Sequence, residues 1–440
     1  MDFATSTDPA VQRQLDRLTL LSPGADILGL ERITRLLDRV GNPQLRLPPV
    51  FHIAGTNGKG STCAFLRAAI EAAGHTAHVY SSPHLVRFNE RIRLAGSLIE
   101  DAVLAPLLAE VLDAGGDIGA SFFEVTTAAA FLAFARVPAD ALILEVGLGG
   151  RLDATNVIAD PAATAIAQLG IDHQAFLGDT LGQIAAEKAG IAKPGRPLVT
   201  MAYPPEIASI VRAAADAAGA TVRSEGEAWS YTIENDALLY RDALGSLETP
   251  LPVLAGSHQP ANLALAIATL RHQESIVLPN SAFAAAARDA RWPARMQRLG
   301  EGPLTALLPP GTALWLDGGH NANAADAVSA AIAKEAAGRP LHLILGILDN
   351  KDAETMLARF APLAASFVGV PVAGHGHHAP AALAESARAH GVAISETAPD
   401  VPTALARIAA RAAETPAVVL ILGSLYLAGT VLAANGELPR

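Results

Sequence analysis

Short apolar runs recur through the first two-thirds of the chain, separated by alanine-rich stretches whose apolar positions return every three or four residues. Pro49–Ala54, Ala77–Ser81, Ala141–Val146, Ala162–Gln168 and Pro197–Met201 have strand length. Runs of this kind suit strands buried on both faces of a parallel sheet. Ser61–Ala73 has helical spacing and closes on Gly74, a common helix stop. Strand–helix alternation predicts a doubly wound, mostly parallel α/β sheet. Residues 228–251 break the rhythm: Trp229, Tyr231 and Tyr240 alternate loosely and predict a small antiparallel excursion.

A second alternating series starts near Leu299, with strands expected at Ala313–Leu316, Leu341–Leu345, Ser366–Val370 and Ala417–Leu422. Arg291–Gly302, with Trp292-Pro293 and two glycines, reads as the linker. The expected organisation is a larger domain at 1–296 and a smaller Rossmann-like α/β domain at 297–440. Ala417–Gly436 carries no charge and is long enough to span a bilayer. Its change from β-branched residues to a Gly423-Ser424 turn and then to alanine and leucine reads instead as strand, turn and short helix. No membrane partner is expected.

Composition bounds the function more than the fold. At 440 residues the chain exceeds one ordinary core and implies two or three domains. Hydrophobic residues at 51% against 17% charged argue for a large core and against global disorder. A net charge of −11 without a basic stripe argues against nucleic acid as partner. Small anions remain possible substrates, because a local basic pocket can sit on an acidic protein. The single cysteine, Cys63, permits no internal disulfide and fits a reducing compartment. The opening MDFATSTDPA lacks the basic start and apolar core of a leader, so a cytoplasmic location is expected.

The strongest chemical signal is Gly55-Thr56-Asn57-Gly58-Lys59-Gly60-Ser61, between an expected strand and an expected helix. Backbone N–H groups and the positive helix end can cradle phosphates, with Lys59 as a point charge and Ser61 reaching phosphate or Mg²⁺. It departs from a strict Walker A loop, since Ile53 stands at the first glycine position and Gly60 separates lysine from serine. Glu145 lies where a buried strand runs out, the edge at which ligands bind open α/β sheets, and is a candidate Mg²⁺ ligand. His173, after the next strand, is as readily structural as functional by itself; beside the loop and Glu145 it is read as a metal contact. Leu181, Ile184, Ala185 and Lys188 share one helix face, so Lys188 projects from an apolar side. Such an amine loses charge readily and can take up CO₂ as a carbamate. From spacing alone, a lysine snorkelling at the helix end explains it better.

At this point the residues resemble a known family. FHIAGTNGKGS (51–61), SSPHL (81–85), SFFE (121–124), LEVGLGGRLDATN (144–156), EKAGI (187–191), SHQPAN (257–262), WPAR (292–295), LDGGHN (316–321), LGIL (345–348) and GSLYL (423–427) are similar to folylpolyglutamate synthase/dihydrofolate synthase. That family is a branch of the Mur-ligase-like ATP-dependent amide ligases, whose first domain is of the P-loop type. The resemblance implies that L-glutamate is joined to dihydropteroate, a reduced folate or both through an acyl phosphate. It implies ATP contacts from Gly55, Thr56, Asn57, Gly58, Lys59, Gly60, Ser61, Asn262, Arg295 and Asp317. Ser82, Glu145, His173 and carbamylated Lys188 would serve two Mg²⁺ sites. Lys59, Glu145, His173, Lys188 and His320 would be catalytic. Ser82, Phe122, Phe123, Glu124, Leu152, Asp153 and Ala154 would hold the folate. Two acceptors of different length call for two overlapping poses or a movable loop at Ser82–Arg91, where Arg87, Arg91 and Arg93 could serve the anionic tail; each of the three reads equally as an exposed surface charge. Ala322, Ala294 and Asn350 depart from a proline, a glycine and a lysine usual in the family. A peptidoglycan-type ligase is disfavoured because about 50 residues precede the phosphate loop. Domain closure near Arg295 and a monomeric state are expected.

Overall fold

The computed structural model describes residues 4–21, 28–411 and 416–439. Of the opening decapeptide, residues 1–3 lie outside that set. Two compact units emerge, one of residues 1–253 and 259–291, the other of residues 254–258 and 292–439. The second unit's main segment thus begins at Trp292, inside the stretch read as a linker.

The first unit holds β1 (Val50–Ala54), β2 (Ala77–Tyr80), β3 (Ile92–Leu94), β4 (Ser97–Leu98), β5 (Ala141–Glu145), β6 (Ala163–Ile166), β7 (Pro197–Thr200) and β8 (Thr221–Ser224). They form one sheet in the order β4-β3-β2-β5-β1-β6-β7-β8. The strands from β2 to β8 along that order pair in parallel, and β3 and β4 form an antiparallel edge. β1, β2, β5 and β6 are buried at every residue, which is why each reads as an unbroken apolar run. β3 and β4 are too short to show a period, and β8 is a half-exposed edge strand; none was legible in the sequence.

One face of the sheet buries Leu142 and Leu144 under the helices Pro9–Leu21, Glu31–Arg39, Asp101–Gly115 and Phe122–Arg136. A second cluster joins Ile166 and Leu198 to the helices Leu181–Ala189 and Pro205–Ala218. The helix Lys59–Ala72 is buried on most sides between the sheet and the helices Gln259–Arg271 and Asn280–Asp289. It starts at Lys59, two residues before the expected Ser61, because Gly58 takes a left-handed φ of 84° and serves as its cap.

The excursion at 228–251 is antiparallel, as expected: β9 (Trp229–Glu234), β10 (Ala237–Asp242) and β11 (Gly245–Pro250), with β10 central. Trp229 stacks on Tyr240 at 5.9 Å. Arg271, from the helix beside it, makes a two-pronged ion pair with Asp242 at 2.7 Å.

The second unit carries β12 (Gln297–Arg298), β13 (Ala313–Leu316), β14 (Leu341–Leu345), β15 (Ala364–Gly369), β16 (Ser395–Thr397) and β17 (Val418–Leu422), in the order β12-β13-β17-β14-β15-β16. All pairings are parallel except β12 with β13. The uncharged segment resolves into β17, a turn at Gly423 and the helix Leu425–Asn435. Among the described residues no helix is long and apolar enough to cross a membrane.

The Asp242 side chain is fully buried and its partner nearly so. Arg271→Leu therefore removes the counter-charge from a buried carboxylate that keeps only the Tyr240 hydroxyl and the Leu244 N–H as donors. Urea unfolding should show a loss of about 3–5 kcal/mol.

Candidate active site

The phosphate loop leaves the middle of the sheet, at the carboxyl end of β1, and two kinds of bond shape it. Thr56 and Asn57 donate their N–H groups to Gln168 O at 2.8 and 3.2 Å. The Thr56 hydroxyl lies 2.9 Å from Gly170 O. These amides brace the loop against the segment after β6 and are occupied, whereas the sequence reading gave them to phosphate. The groups left to face an anion are those at the start of the helix, from Gly58 to Ser61, whose N–H groups have no intrahelical acceptor. A side chain at Gly58 would collide with Asn262 Oδ1. Asn262 donates to Gln259 Oε1 at 3.1 Å, and Gln259 donates to Ser61 Oγ at 3.3 Å. The structure thus brings Asn262 to the loop and adds Gln259, which sits inside the SHQPAN signature but was not singled out.

Lys59 Nζ donates to Gly55 O at 3.0 Å and to Thr56 O at 3.4 Å. Lys188 Nζ donates to the same Gly55 carbonyl at 3.0 Å. Lys188 is 5% exposed, on the buried face of its helix with Ile184 and Ala185. The snorkelling alternative therefore fails. Burial, and then the Lys59 charge, lower its pKa from 10.5 to about 7, against the opposing pull of Asp172 and Asp153. Two amines on one carbonyl are tolerable when one of them is neutral.

Glu145 is the last residue of β5, is buried, and stands beside Ile53 by register. Its Oε2 lies 3.4 Å from the Ser82 N–H. Its charge helps burial to push up the pKa of Cys63, while Lys59 opposes this, so both charges act on the same buried point. His173 follows β6 with a left-handed φ of 53° and an exposed side chain. Among the described residues no three His, Cys, Asp or Glu side chains gather as a metal cluster. The expected metal set has two residues of those types, Glu145 and His173, so other oxygen donors have to complete it.

The loop after Glu145 is packed too tightly for side chains at its glycines. A Cβ at Gly150 would lie 2.7 Å from Glu187 O and 2.9 Å from Lys188 Cα, and one at Gly147 would strike the Phe123 ring. Asp153 is buried, and its carboxylate accepts from Leu148 N at 2.8 Å and Thr155 N at 3.0 Å. Burial raises its pKa against those bonds. Phe123 is half-buried and tilts toward Tyr80 at 5.9 Å, while Phe122 meets Phe88 edge-on at 5.9 Å. Leu152 is half-buried and Ala154 buried. Glu124 closes a capping box with Ser121 and accepts from Arg32 Nε at 3.0 Å, so one of its oxygens is committed to the scaffold.

The stretch at Ser82–Arg91, a movable loop in one of the two alternatives, is braced. The Glu90 carboxylate accepts from the N–H groups of Leu85, Val86 and Arg87 at 2.8, 3.0 and 2.7 Å. Arg91 is fully buried, not a surface charge: its guanidinium lies over Phe88 and Phe122 at 5.7 and 5.4 Å and its Nε donates to His84 at 2.9 Å. Arg93 is half-buried, with its pKa lowered to about 10 by burial. Of the three arginines only Arg87 is exposed.

In the second unit, Asp317 follows β13 and is buried; it accepts from Met296 N at 2.7 Å and Gly319 N at 2.6 Å. That holds in place the turn bearing Arg295, whose Nη1 donates to Ala294 O at 2.9 Å. Ala294 has a φ of 54°, a left-handed backbone that suits the glycine usual there. Ala322 opens the helix Ala322–Ala336, a position where proline is equally at home. His320 Nδ1 lies 2.9 Å from Gly318 O.

A buried lysine and a buried acid around a phosphate loop define a P-loop nucleotide-using α/β protein. The second unit specifies which kind: a family profile described as "Mur ligase, glutamate ligase domain" matches residues 294–425. The Escherichia coli dihydrofolate synthase/folylpolyglutamate synthase is 35% identical over 349 residues, spanning 79% of this chain and 78% of that protein. The Lacticaseibacillus casei folylpolyglutamate synthase is 31% identical, spanning 91% and 92%. Among solved structures, E. coli FolC in complex with DHPP and ADP superposes with a TM-score of 0.85 at 32% identity, covering 97% of each chain. A bifunctional folylpolyglutamate synthase/dihydrofolate synthase with Mn, AMPPNP and L-glutamate bound superposes with a TM-score of 0.82 at 32% identity, covering 98% and 99%. The chain belongs to the dihydrofolate synthase/folylpolyglutamate synthase family.

A lysine with a lowered folded-state pKa binds fewer protons folded than unfolded between pH about 7 and 10.5. Stability therefore rises with pH across that window, by up to about 1.4 kcal/mol per unit. In CO₂-depleted buffer the wild type should gain stability relative to Lys188→Met from pH 7 to pH 10. Parallel pH–stability curves for the two proteins would show that Lys188 is not perturbed.

Proposed function

We infer that this protein is an ATP-dependent ligase that joins the α-amine of L-glutamate to the carboxylate of a pterin-bearing acceptor, using both dihydropteroate and reduced folate. The observation that carries the reading is the convergence of Lys59 and Lys188 on Gly55 O, with Glu145 at the end of the neighbouring strand. Family membership supplies the substrate class.

The acceptor carboxylate attacks the γ-phosphorus of ATP, giving an acyl phosphate and ADP. The glutamate amine then attacks the acyl carbon, loses its proton, and phosphate leaves. The first N–H groups of the helix Lys59–Ala72 hold the phosphates, and Lys59 exchanges its carbonyl acceptors for phosphate oxygens, which bind an ammonium more strongly. Mg²⁺ fits as the divalent ion: Glu145 and the Ser82 hydroxyl offer hard oxygen donors, and this ion takes one or two carboxylates with phosphate oxygens. When bound it offsets charge on the transferring phosphoryl group. Carbamylated Lys188 would add an anionic donor, and His173 a nitrogen, for a second ion. Neutral amine is what CO₂ requires, and Lys188 supplies it near pH 7.

Arg295 and His320 are proposed as ATP-contact and catalytic groups of the second unit. Asp317 is assigned to holding the Arg295 turn, since both its oxygens are engaged. The pterin is assigned to Phe122, Phe123 and the Leu152–Ala154 segment, where an aromatic ring offers a stacking face. The p-aminobenzoate and glutamyl carboxylates lie at different distances from that ring, so the two acceptors need two poses. The protein is proposed to act as a monomer in a reducing, cytoplasmic setting, which fits its one buried cysteine.

Lys59→Ala should lower glutamate-dependent ADP release at least about 100-fold with the circular dichroism spectrum unchanged. Wild-type-like turnover in that variant would remove the phosphate-loop assignment.

The acceptor assignment predicts ADP release with dihydropteroate and with reduced folate, each requiring glutamate. Turnover of reduced folate alone restricts the protein to polyglutamylation. Protein equilibrated with ¹³C-bicarbonate should give a carbamate resonance absent from Lys188→Ala, and its absence from the wild type would sink the modification.

A further inference from the structure

His52 sits in β1, three residues before Gly55, and is wholly buried. By register it stands beside Leu144 and Thr164 in the middle of the sheet, where an aliphatic side chain would pack without polar cost. Its Nε2 lies 2.8 Å from the Thr155 hydroxyl, which is bonded in turn to Asp153 Oδ1. Asp153 also takes the N–H groups of Thr155 and Leu148. A hydroxyl has one proton, and a carboxylate serving several donors has none to give. Thr155 therefore donates to Asp153 and accepts from His52, which fixes the Nε2–H tautomer. The other nitrogen, Nδ1, is buried without a hydrogen-bond partner. Burial, and secondarily the Lys193 charge, hold the imidazole pKa down to about 3, so the ring is neutral.

The relay ends on a loop with a defined neighbour. Asp153 closes the segment from Gly147 onto itself, and Gly147 packs against the ring of Phe123. The strand that delivers the phosphate loop is thereby tied, through one side chain, to the segment facing the aromatic wall. We propose that His52 is a positioning residue for the pterin-bearing acceptor, its Nε2–H acting through Thr155 and Asp153 to set the Gly147–Ala154 loop against the phosphate-loop strand. The proposal rests on the ligase reading above and adds a residue that never touches substrate.

The test uses the full chain with His52→Leu, which keeps bulk and removes the donor, and His52→Gln, whose amide donates at the same reach as Nε2. His52→Leu should raise KM for dihydropteroate about 5–20-fold, the scale of a lost buried hydrogen bond. KM for ATP should stay within about 2-fold of wild type, and His52→Gln should recover most of the loss. Thr155→Val should show the same split, and His52→Leu added to it should do nothing further. If His52→Leu fails to fold, His52→Gln and Thr155→Val carry the test, the first near wild type and the second with raised acceptor KM. Equal movement of both KM values, a glutamine variant as impaired as the leucine one, or additive effects of His52 and Thr155 would overturn the proposal. Wild-type turnover with dihydropteroate is the control. Its absence removes the ligase reading for that acceptor, whereas its presence with an unchanged acceptor KM in the variants removes only the role of His52.

Discussion

The parallel pairing of β1 between β5 and β6 is the constraint on which the site depends. It sets three chain segments at one edge of the sheet: the phosphate loop after β1, Glu145 at the end of β5, and Gln168–Gly170 after β6. Each then restrains another. Gln168 O occupies the N–H groups of Thr56 and Asn57, which shapes the loop and leaves the helix start for an anion. A slip of β1 by one residue would move every side chain of the strand to the other face of the sheet and separate these partners.

Around that edge the chain accepts costs that a purely structural sheet would avoid. Lys188 is buried with its amine on a carbonyl already bonded by Lys59. His52 keeps a buried nitrogen without a partner. Glycines fill positions where a Cβ would strike backbone or an aromatic ring. Elsewhere buried charge is handled conventionally, as in the paired Asp242 and Arg271 under the antiparallel sheet. Departures of this kind beside the phosphate loop are what a working site is expected to show, since function is where local rules are broken.

The loop rich in arginine illustrates how exposure misleads when judged from charge. Arg87, Arg91 and Arg93 look equivalent in sequence, yet Arg91 is buried against two phenylalanine rings and only Arg87 is exposed. The cause is Glu90, which collects the N–H groups of Leu85 to Arg87 and folds the segment inward. Asp153 and Asp317 teach the same lesson for acids: each engages both oxygens with backbone N–H groups, whereas Glu124 commits one oxygen to its capping box and Arg32.

The sequence by itself determined the fully buried strands, the helix after the phosphate loop and the two-unit α/β layout, because burial on both faces leaves an unbroken apolar run and helical burial a period. It also pointed to Lys59, Glu145 and Lys188, since a charge at the end of an apolar strand or on an apolar helix face breaks the local pattern. Only the tertiary structure decided which of these meet. β3, β4 and β12 span too few residues for a period. Gln259 reaches Ser61 across 198 positions, and Lys188 reaches Gly55 across 133. Spacing along the chain carries no information about contacts made through folding: spacing favours a snorkelling Lys188, the family resemblance reverses that preference, and the buried amine on the Gly55 carbonyl gives the physical reason.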